Sequence, residues 1–510
     1  MQAMFETLLQ LTARPTIVWA IVLTGLALLL HLLTTRKSLS HAVPKLWKPD
    51  DIPILGAWRF YTHREDMYRT AQRSTKTGNF SFYVGKKHVV GVSGPEGRRT
   101  FFDSKDLDLG EGFNDLFAGL PAQSGGDDFD RFLKKTLATL LKSENLNKNI
   151  GMLATDARRV CEALAVAPVS DSHPEWRVMN PFDSMFKLVY QLTIRTIGAR
   201  EIADDPELLN HTLSIFEQFE SRTSTLKLFF PWLPTPNHIL RMFNGARLYK
   251  IFLDIIRSRE KSEKRVDDAL QHILDTGASV SDVISFEIGS LFAGLINTGL
   301  HASYLPAHCA DNPEWKARVQ AEVDGVITKY RSTPEQSPAM VLSSLSVEQW
   351  ESEFPLIDLS LRESIRVGMP GAGLRKNVGP RDIPIGNTGE VIPMGSYAVY
   401  VFNDVHKNPD IYTECDKFDP TRYFPDRAED KKMNHTYLGW GSGRHPCLGM
   451  RFAKLEMVLC NAYFFAMFDF EPSEKDGSLR TEPVPPVDVK LLQIRKPDDP
   501  IFIRYKPRVH

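Results

Sequence analysis

The sequence predicts one large domain that is mainly α-helical with smaller β-sheets, behind a single apolar N-terminal helix. Residues 130–330 show mainly helical periodicity, with long amphipathic stretches such as 239–259. Residues 390–402 predict two strands about a Pro-Met-Gly turn. The third observation is an apolar run near the N-terminus. The other segments with β-like or paired-strand patterns are residues 80–84, 88–92 and 491–505.

Composition limits the classes of protein to which the chain can belong. Its 510 residues, 42% of them hydrophobic, can bury a core large enough to enclose a cofactor. The formal net charge of −1 argues against nucleic acid as a partner, because such binding usually needs a basic face. Five cysteines without a CxxC pair argue against a disulfide scaffold or a zinc cluster, and they fit a reducing compartment.

The apolar run Thr16–Thr34 contains no Asp, Glu, Lys or Arg. As a helix it is about 28 Å long, close to the hydrocarbon thickness of a bilayer at about 30 Å. It is longer than a signal-peptide core, and basic residues follow it, so we expect an uncleaved anchor with the bulk of the chain in the cytosol. The predicted divisions are an anchor at 1–35, a proline-containing hinge at 36–56 and one domain at 57–510.

The sharpest motif is Trp440-Gly-Ser-Gly-Arg-His-Pro-Cys447-Leu-Gly449, followed by a helical run at 450–468. Its glycines allow a tight turn and a close backbone approach to a flat ligand. Backbone N–H groups and the N-terminal end of the following helix can stabilise a thiolate, which is the form of cysteine that binds a metal. We therefore predict that Cys447 is a metal ligand.

Two further motifs precede this loop. Glu363-Ser-Ile-Arg366 places a carboxylate and a guanidinium on one helix face, and Phe418-Asp-Pro-Thr-Arg422 follows downstream. Together the three motifs resemble those of the cytochrome P450 superfamily over about residues 45–507. The resemblance implies the cytochrome P450 fold, heme b held by the Cys447 thiolate, and a buried Glu363–Arg366–Arg422 cluster that fixes the cysteine loop.

The resemblance also implies which residues contact the heme. Arg375 and His445 stand where the family places partners of the heme propionates, and Lys134 or Lys135 is a weaker third candidate. The other predicted heme-contacting residues are Trp440, Gly441, Gly449, Ala293 and Gly294.

The predicted oxygen-activation helix, 285–304, departs from the family pattern. Where the family has an acid followed by an alcohol, this chain has Ile296 and Asn297. Asn297 and Thr298 are the predicted catalytic residues, although Thr298 lies about 100° further around the helix and is not expected to substitute from the same face. An Asn at this position resembles the steroid 7α-hydroxylase and prostacyclin synthase branch and a group of fungal relatives, which puts the usual proton relay in doubt.

The predicted substrate pocket is apolar, which favours a lipophilic molecule such as a sterol, terpenoid or polyketide. The residues carried over from the family to its wall are Phe113, Phe117, Leu120, Ile296, Met369 and Leu491.

The resulting hypothesis is a microsomal heme-thiolate monooxygenase of the endoplasmic reticulum membrane, acting in secondary metabolism. It would use O₂ and electrons from a separate NADPH–cytochrome P450 reductase, because the chain has no suitable GxGxxG after a strand. A basic proximal surface including Lys134, Arg444 and Arg451 would dock that reductase. Two alternatives stay open: a reductase-independent heme-thiolate isomerase or dehydratase, prompted by Ile296 and Asn297, and a non-catalytic heme- or sterol-binding membrane protein.

Overall fold

The computed structural model describes residues 15–36, 41–117, 126–223, 225–230, 232–262, 265–488 and 493–508. By proximity of Cα atoms the chain divides into two compact units. Unit 1 consists of Met1–Leu116 and Gly373–Val401, and unit 2 consists of Phe117–Ala372 and Phe402–His510. The predicted division into anchor, hinge and single domain stays a prediction.

Unit 1 contains five helices and a seven-stranded sheet among its described residues. Its helices are α1 Pro15–Thr34, α2 Arg59–Thr62, α3 Arg64–Arg73, α4 Gly94–Asp103 and α5 Leu109–Leu116. Its strands are β1 Asp51–Ile52, β2 Gly56–Ala57, β3 Phe80–Val84, β4 Lys87–Gly91, β5 Leu107–Asp108, β7 Ala372–Asn377, β8 Ile383–Pro384, β9 Val391–Ile392 and β10 Tyr397–Val401. The order of strands in the large sheet is β1-β2-β3-β4-β10-β7-β5. The two strands predicted near residues 80 and 90 are confirmed, and they pair as an antiparallel hairpin.

The two strands predicted within 390–402 are present as β9 and β10, but they do not form a hairpin with each other. β9 pairs with β8, whereas β10 runs parallel to β4 through the pair Ala398–Val90. β10 is buried at all five positions, which explains this placement in the interior of the larger sheet. A strand buried on both faces needs neighbours on both sides to satisfy its backbone.

The apolar run near the N-terminus forms helix α1. Its large side chains include the exposed Trp19, Leu23 and Leu26, each more than 60% accessible. Among the described residues, one helix is long and apolar enough to cross a membrane by length and composition, Val280–Ala310. Of its most apolar 18 residues, 67% are buried in the protein. That degree of burial is typical of a core helix.

Unit 2 is mainly helical. Its helices are α6 Gly126–Leu140, α7 Ser143–Ala165, α8 Pro181–Ile197, α9 Arg200–Asp204, α10 Pro206–Ser221, α11 Leu226–Phe229, α12 Pro236–Ser262, α13 Ala269–Leu274, α14 Val280–Ala310, α15 Pro313–Tyr330, α16 Pro338–Ser343, α17 Val347–Ser352, α18 Pro355–Gly368, α19 Asn403–His406 and α20 Met450–Met467, with 3₁₀ turns at Pro420–Tyr423 and Glu429–Lys431. The helices predicted at 239–259, 285–304 and 450–468 are thereby confirmed as parts of α12, α14 and α20.

Helix α14 is the central element of unit 2 and packs against α8, α18 and α20. It begins where the Ser279 side chain accepts a hydrogen bond from the backbone N–H of Asp282, which satisfies one free donor of the first turn. Buried apolar side chains such as Leu291, Leu295 and Leu300 tie it to the main core cluster. A helix held on several sides is well suited to present side chains at fixed positions.

The small strands of unit 2 are β6 Arg177–Met179, β11 Gly441–Ser442, β12 His445–Pro446, β13 Phe468–Ser473 and β14 Phe502–Pro507. The paired strands predicted around residues 496–500 are wrong for the described part, 493–505. The second strand exists as β14, but it pairs with β13 over six positions and with β6 on its other side. Pro497 and Pro500 lack a backbone N–H, so the segment before β14 is a poor strand partner.

Candidate active site

The cysteine motif folds as a short hairpin between residues 439 and 447. Strands β11 and β12 pair Gly441 with Pro446 and Ser442 with His445. Gly441 has a φ of +70°, and a Cβ there would lie 2.5 Å from the carbonyl oxygen of His445, so only glycine fits. The Cys447 N–H donates to the Trp440 carbonyl at 2.8 Å, which closes the loop. Cys447 is therefore held in place by its own backbone.

The Cys447 thiol is free and accessible. Burial of its surroundings raises the pKa of the thiol, while backbone N–H groups of Gly449 and Met450 donate to the sulfur and oppose that shift. Gly449 is the N-cap of α20, so these donors are the free N–H groups at a helix start. Such donors stabilise negative charge on sulfur and suit it to bind a cation.

Cys447 opens onto a cavity within unit 2 that holds about 1010 Å³ of atom-free space, part of it open to solvent. Helices α8, α14 and α20, the end of α18 and the cysteine loop form its wall. The lining residues are mostly apolar and include Leu137, Leu141, Thr193, Ile197, Ser290, Ala293, Gly294, Asn297, Thr298, His301, Ile365, Met369, Trp440, Cys447, Gly449, Phe452 and Glu456.

One face of α14 contributes a polar series to this cavity. Asn297 is exposed in the structure and lines the cavity. Thr298 lines the same cavity although it lies about 100° further around the helix, and its catalytic role beside Asn297 stays a prediction. The cavity is wide enough to contact both residues, which are consecutive on α14 and therefore about 100° apart around the helix axis. Ile296, a predicted substrate residue, is buried in the core cluster.

The structure brings Glu363, Arg366 and Arg422 together with no exposed side-chain surface. Arg366 donates to both Glu363 oxygens, at 2.9 and 2.7 Å, and Arg422 donates to Oε1 at 2.8 Å. Burial lowers the pKa of Arg366, but the hydrogen bonds that Arg366 donates to Glu363 outweigh burial and leave the pKa raised. Arg366 is therefore charged.

The triad is connected to the cysteine loop through His406. Arg366 donates to the His406 carbonyl at 2.7 Å, and the ring Nε2 accepts from the Leu438 N–H at 2.9 Å. The Leu438 carbonyl in turn accepts from the Gly441 N–H at 2.9 Å. The cluster thus fixes the backbone from which the loop starts.

Several predicted site residues do not line this cavity. Arg375 is buried in unit 1, where its guanidinium lies 4.6 Å from the Phe101 ring and donates to the Phe101 carbonyl. Phe113 and Phe117 are half-buried, and His445 is half-buried in β12. Leu120 and Leu491 lie outside the described residues. Met369, Trp440, Ala293, Gly294 and Gly449 do line the cavity with Cys447.

Four polar side chains of the cavity wall, those of Thr193, Ser290, His301 and Glu456, were not among the residues predicted from the sequence. Ser290 and His301 lie seven residues before and four after Asn297, so helical spacing from Asn297 was the available signal. The Thr193 hydroxyl donates to Glu456 Oε1 at 2.8 Å, a contact between α8 and α20 that no sequence spacing indicates. Burial raises the pKa of Glu456 well above its ordinary value, with the Thr193 hydrogen bond opposing it. Burial therefore favours the protonated form of Glu456 over its carboxylate.

A large helical chain in which a cysteine that accepts backbone hydrogen bonds at its sulfur faces a mainly apolar cavity suits a protein that binds a metal-containing cofactor. The family model for cytochrome P450 matches residues 47–500. The chain is 33% identical over 474 residues to the cytochrome P450 monooxygenase AacuE of Aspergillus aculeatus, covering 90% of this chain and 92% of that one. It is 30% identical to the cytochrome P450 monooxygenase dmxR5 of a Cryptosporiopsis species, covering 83% and 82%.

A solved structure, retinoic acid bound cyanobacterial CYP120A1, covers 92% of this chain and all of its own with a TM-score of 0.69. At 20% identity this likeness shows the fold alone. The chain belongs to the cytochrome P450 family, and it is an oxidoreductase of the monooxygenase class. The family implies heme iron with a cysteine thiolate ligand.

The cavity fits such a group on observations of the chain itself. A Cβ added at Gly449 would meet no atom of the described residues within 4 Å, and one at Gly294 would meet only the Thr193 Cγ2, at 3.7 Å. Both glycines therefore face open space in the cavity that Cys447 shares. Flat aromatic side chains, Trp440 and Phe452, add to the wall, and such surfaces suit a planar apolar ring.

Proposed function

We propose that the chain is a heme-thiolate monooxygenase in which Cys447 binds the iron of heme b. The observation that carries the proposal is the Cys447 sulfur, which is accessible at the cavity and accepts hydrogen bonds from the Gly449 and Met450 N–H groups. When bound, the heme supplies O₂ activation, which an electron-donating thiolate favours. Arg375 and His445 remain the proposed propionate partners that the resemblance to the family implies.

The substrate is proposed to be lipophilic, such as a sterol, terpenoid or polyketide. The support is the mainly apolar wall, in which Met369, Ile365 and Leu141 are typical members. Such a wall excludes water and binds apolar surface at roughly 25 cal/mol per Å² buried. Phe113, Phe117 and Ile296 remain proposed substrate residues without a described contact to this cavity.

Asn297 and Thr298 are proposed to handle protons, because their polar side chains stand on the cavity face of α14. An amide NH₂ donates hydrogen bonds and its oxygen accepts them, so Asn297 can orient a water molecule without itself titrating. The Thr298 hydroxyl can both donate and accept, so it can pass a proton to such a water. This pair would substitute for the acid that Ile296 replaces.

Helix α1 is proposed to anchor the protein in the endoplasmic reticulum membrane as a single-pass segment with the catalytic domain in the cytosol. Its exposed Trp19, Leu23 and Leu26 would be costly in water and favourable in lipid. Electrons are proposed to come from a separate NADPH–cytochrome P450 reductase. A role in secondary metabolism is part of the same proposal.

A second candidate is a heme-thiolate isomerase or dehydratase that needs no reductase. The observation that favours it is Ile296, which is buried and apolar where the family has an acid. The test is turnover of a lipophile panel by the purified holoenzyme, with and without NADPH, reductase and O₂. The monooxygenase proposal expects product only when all three are present. Product formed without reductase or O₂ would refute it and support the second candidate.

A further inference from the structure

His406 is the last residue of α19, and its side chain has no exposed surface. Its backbone is held on two sides, because its N–H donates to the Phe402 carbonyl at 3.0 Å and its carbonyl accepts from Arg366 at 2.7 Å. The Tyr437 ring packs beside the imidazole, with 5.8 Å between the ring centroids. The position of the imidazole is therefore fixed by groups outside the cysteine loop.

The imidazole of His406 is an acceptor for the backbone of Leu438. The Leu438 N–H donates to the ring Nε2 at 2.9 Å. Because an N–H group only donates, Nε2 carries the lone pair, and the ring is neutral with its hydrogen on Nδ1. Leu438 is 1% exposed, so its N–H depends on the protein for an acceptor. The ring supplies that acceptor from a residue 32 positions away in the sequence.

Two backbone hydrogen bonds connect Leu438 to the ligand cysteine. The Leu438 carbonyl accepts from the Gly441 N–H at 2.9 Å, and the Trp440 carbonyl accepts from the Cys447 N–H at 2.8 Å. The backbone between them is closely packed, since a Cβ added at Gly439 would lie within 2.5 Å of side-chain atoms of two neighbouring residues. A displacement at Leu438 is therefore transmitted to the backbone that carries the sulfur.

We propose that His406 is a positioning residue for the heme ligand: its Nε2, by accepting the Leu438 N–H, holds the loop in the conformation in which Cys447 binds iron. This rests on the proposed function, because it assumes that Cys447 binds heme iron. Without the acceptor, the buried N–H would shift the balance of loop conformations by roughly 5- to 150-fold. The triad does not replace this bond, because Arg366 contacts the carbonyl of residue 406, which every substitution retains.

Three substitutions separate the acceptor atom from the rest of the ring. In His406→Gln the amide oxygen can reach the position of Nε2, whereas in His406→Asn the shorter side chain places its oxygen near the position of Nδ1. His406→Leu keeps an apolar volume and removes the acceptor. The matched control is His88→Leu, which removes a buried imidazole of β4 in unit 1 that hydrogen-bonds the Ser396 hydroxyl at 3.0 Å.

Two measurements are made on the purified holoenzymes. Hydrogen–deuterium exchange at the Leu438 and Gly441 amides reports how often the start of the loop opens, and it needs no heme spectrum. The Soret band of the reduced, CO-bound protein, relative to heme content, reports the share of heme with a thiolate ligand.

Exchange at these amides should be roughly 5- to 150-fold faster in His406→Leu and His406→Asn than in wild type. The ratio of thiolate-ligated to other heme should fall by a similar factor in the same two variants. His406→Gln should restore most of the wild-type values, and His88→Leu should match wild type in both measurements. If His406→Leu does not fold, the comparison of His406→Gln with His406→Asn decides the same question.

Wild-type exchange rates in His406→Leu or His406→Asn would overturn the proposal. Faster exchange with an unchanged share of thiolate-ligated heme would also overturn it, because His406 would then hold the backbone without positioning the ligand. Equal restoration by His406→Asn and His406→Gln would exclude Nε2 as the acceptor that matters. A wild-type holoenzyme without the thiolate band would instead refute the proposed function, while the exchange rates would still show whether His406 holds Leu438.

Discussion

Replacing Glu363 by Gln tests whether the buried Glu363–Arg366–Arg422 cluster stabilises the fold more than an ion pair on the surface does. Glu363 accepts from Arg366 and Arg422 and also from the Tyr423 hydroxyl at 2.8 Å and the Asp419 N–H at 3.1 Å. A glutamine keeps one acceptor oxygen but turns an NH₂ group toward donors that need an acceptor. The substitution thus removes one negative charge and also introduces a donor–donor conflict.

The size of the loss in stability depends on which hydrogen-bond and ionic partners each arginine retains after the substitution. Arg422 keeps the Glu429 carboxylate at 2.6 Å. Among the described residues, Arg366 keeps carbonyl oxygens such as those of His406 and Cys415 at 2.7 Å and the Tyr412 ring at 4.9 Å, so its buried charge is left without a counter-charge. Breaking a buried pair in this way costs about 3–5 kcal/mol. That is a large fraction of a total stability of about 5–15 kcal/mol.

The assay is equilibrium unfolding in urea together with heme content per protein. Glu363→Gln should lower the unfolding free energy by about 3–5 kcal/mol and reduce heme content, because Arg366 supports the backbone that leads to the cysteine loop. The matched control is Glu351→Gln, which removes a half-exposed partner of Arg451 and should change stability by about 1 kcal/mol or less. A loss of stability in Glu363→Gln no larger than that in Glu351→Gln would contradict the role of Glu363 as the shared counter-charge of Arg366 and Arg422.

Three further predictions address the relay, a buried acid and the topology. Asn297→Leu should keep its heme but form roughly 10²–10⁴-fold less product per NADPH consumed, and Asn297→Thr should be less affected. Equal product per NADPH in wild type and Asn297→Leu would remove Asn297 from the mechanism. Burial, then Asp268, raises the pKa of Glu287 well above its ordinary value. The folded chain therefore holds a proton that the unfolded chain releases, and wild-type stability falls with rising pH above about 4.3, by up to about 1.4 kcal/mol per pH unit. Glu287→Gln should gain stability relative to wild type as the pH is raised above about 5, as measured by urea unfolding at a series of pH values; a difference that does not change with pH would contradict this. The exposed sequon at Asn210 should carry no glycan, and a mass decrease on endoglycosidase treatment would overturn the cytosolic orientation.

Local patterns made much of the fold predictable. Helical periodicity predicted α12, α14 and α20, and short β-like runs predicted β3 and β4. The pairing of β10 with β4 and of β14 with β13 was not predictable, because strand partners far apart in sequence are chosen by the burial of the whole sheet. The assumption that neighbouring strands pair with each other failed at both places.

The site was predictable where a motif carries its own geometry. The cysteine loop is a short motif that identified Cys447, whereas the spacing of Glu363 and Arg366 is weak alone and their role came from the resemblance to the family. Thr193 and Glu456 meet across two helices that are far apart in the sequence, and only the folded chain brings them together. Thr298 lines the cavity together with Asn297 because a wide cavity can include two residues that lie about 100° apart on a helix.

The most direct test of the heme-thiolate assignment is the absorption spectrum of the reduced, CO-bound protein for wild type and Cys447→Ala. The matched control is Cys460→Ala, which changes a fully buried cysteine of α20 that does not line the cavity. We predict that wild type and Cys460→Ala show the red-shifted Soret band of a thiolate-ligated heme and that Cys447→Ala does not. Retention of that band in Cys447→Ala would contradict the assignment of Cys447 as the heme ligand.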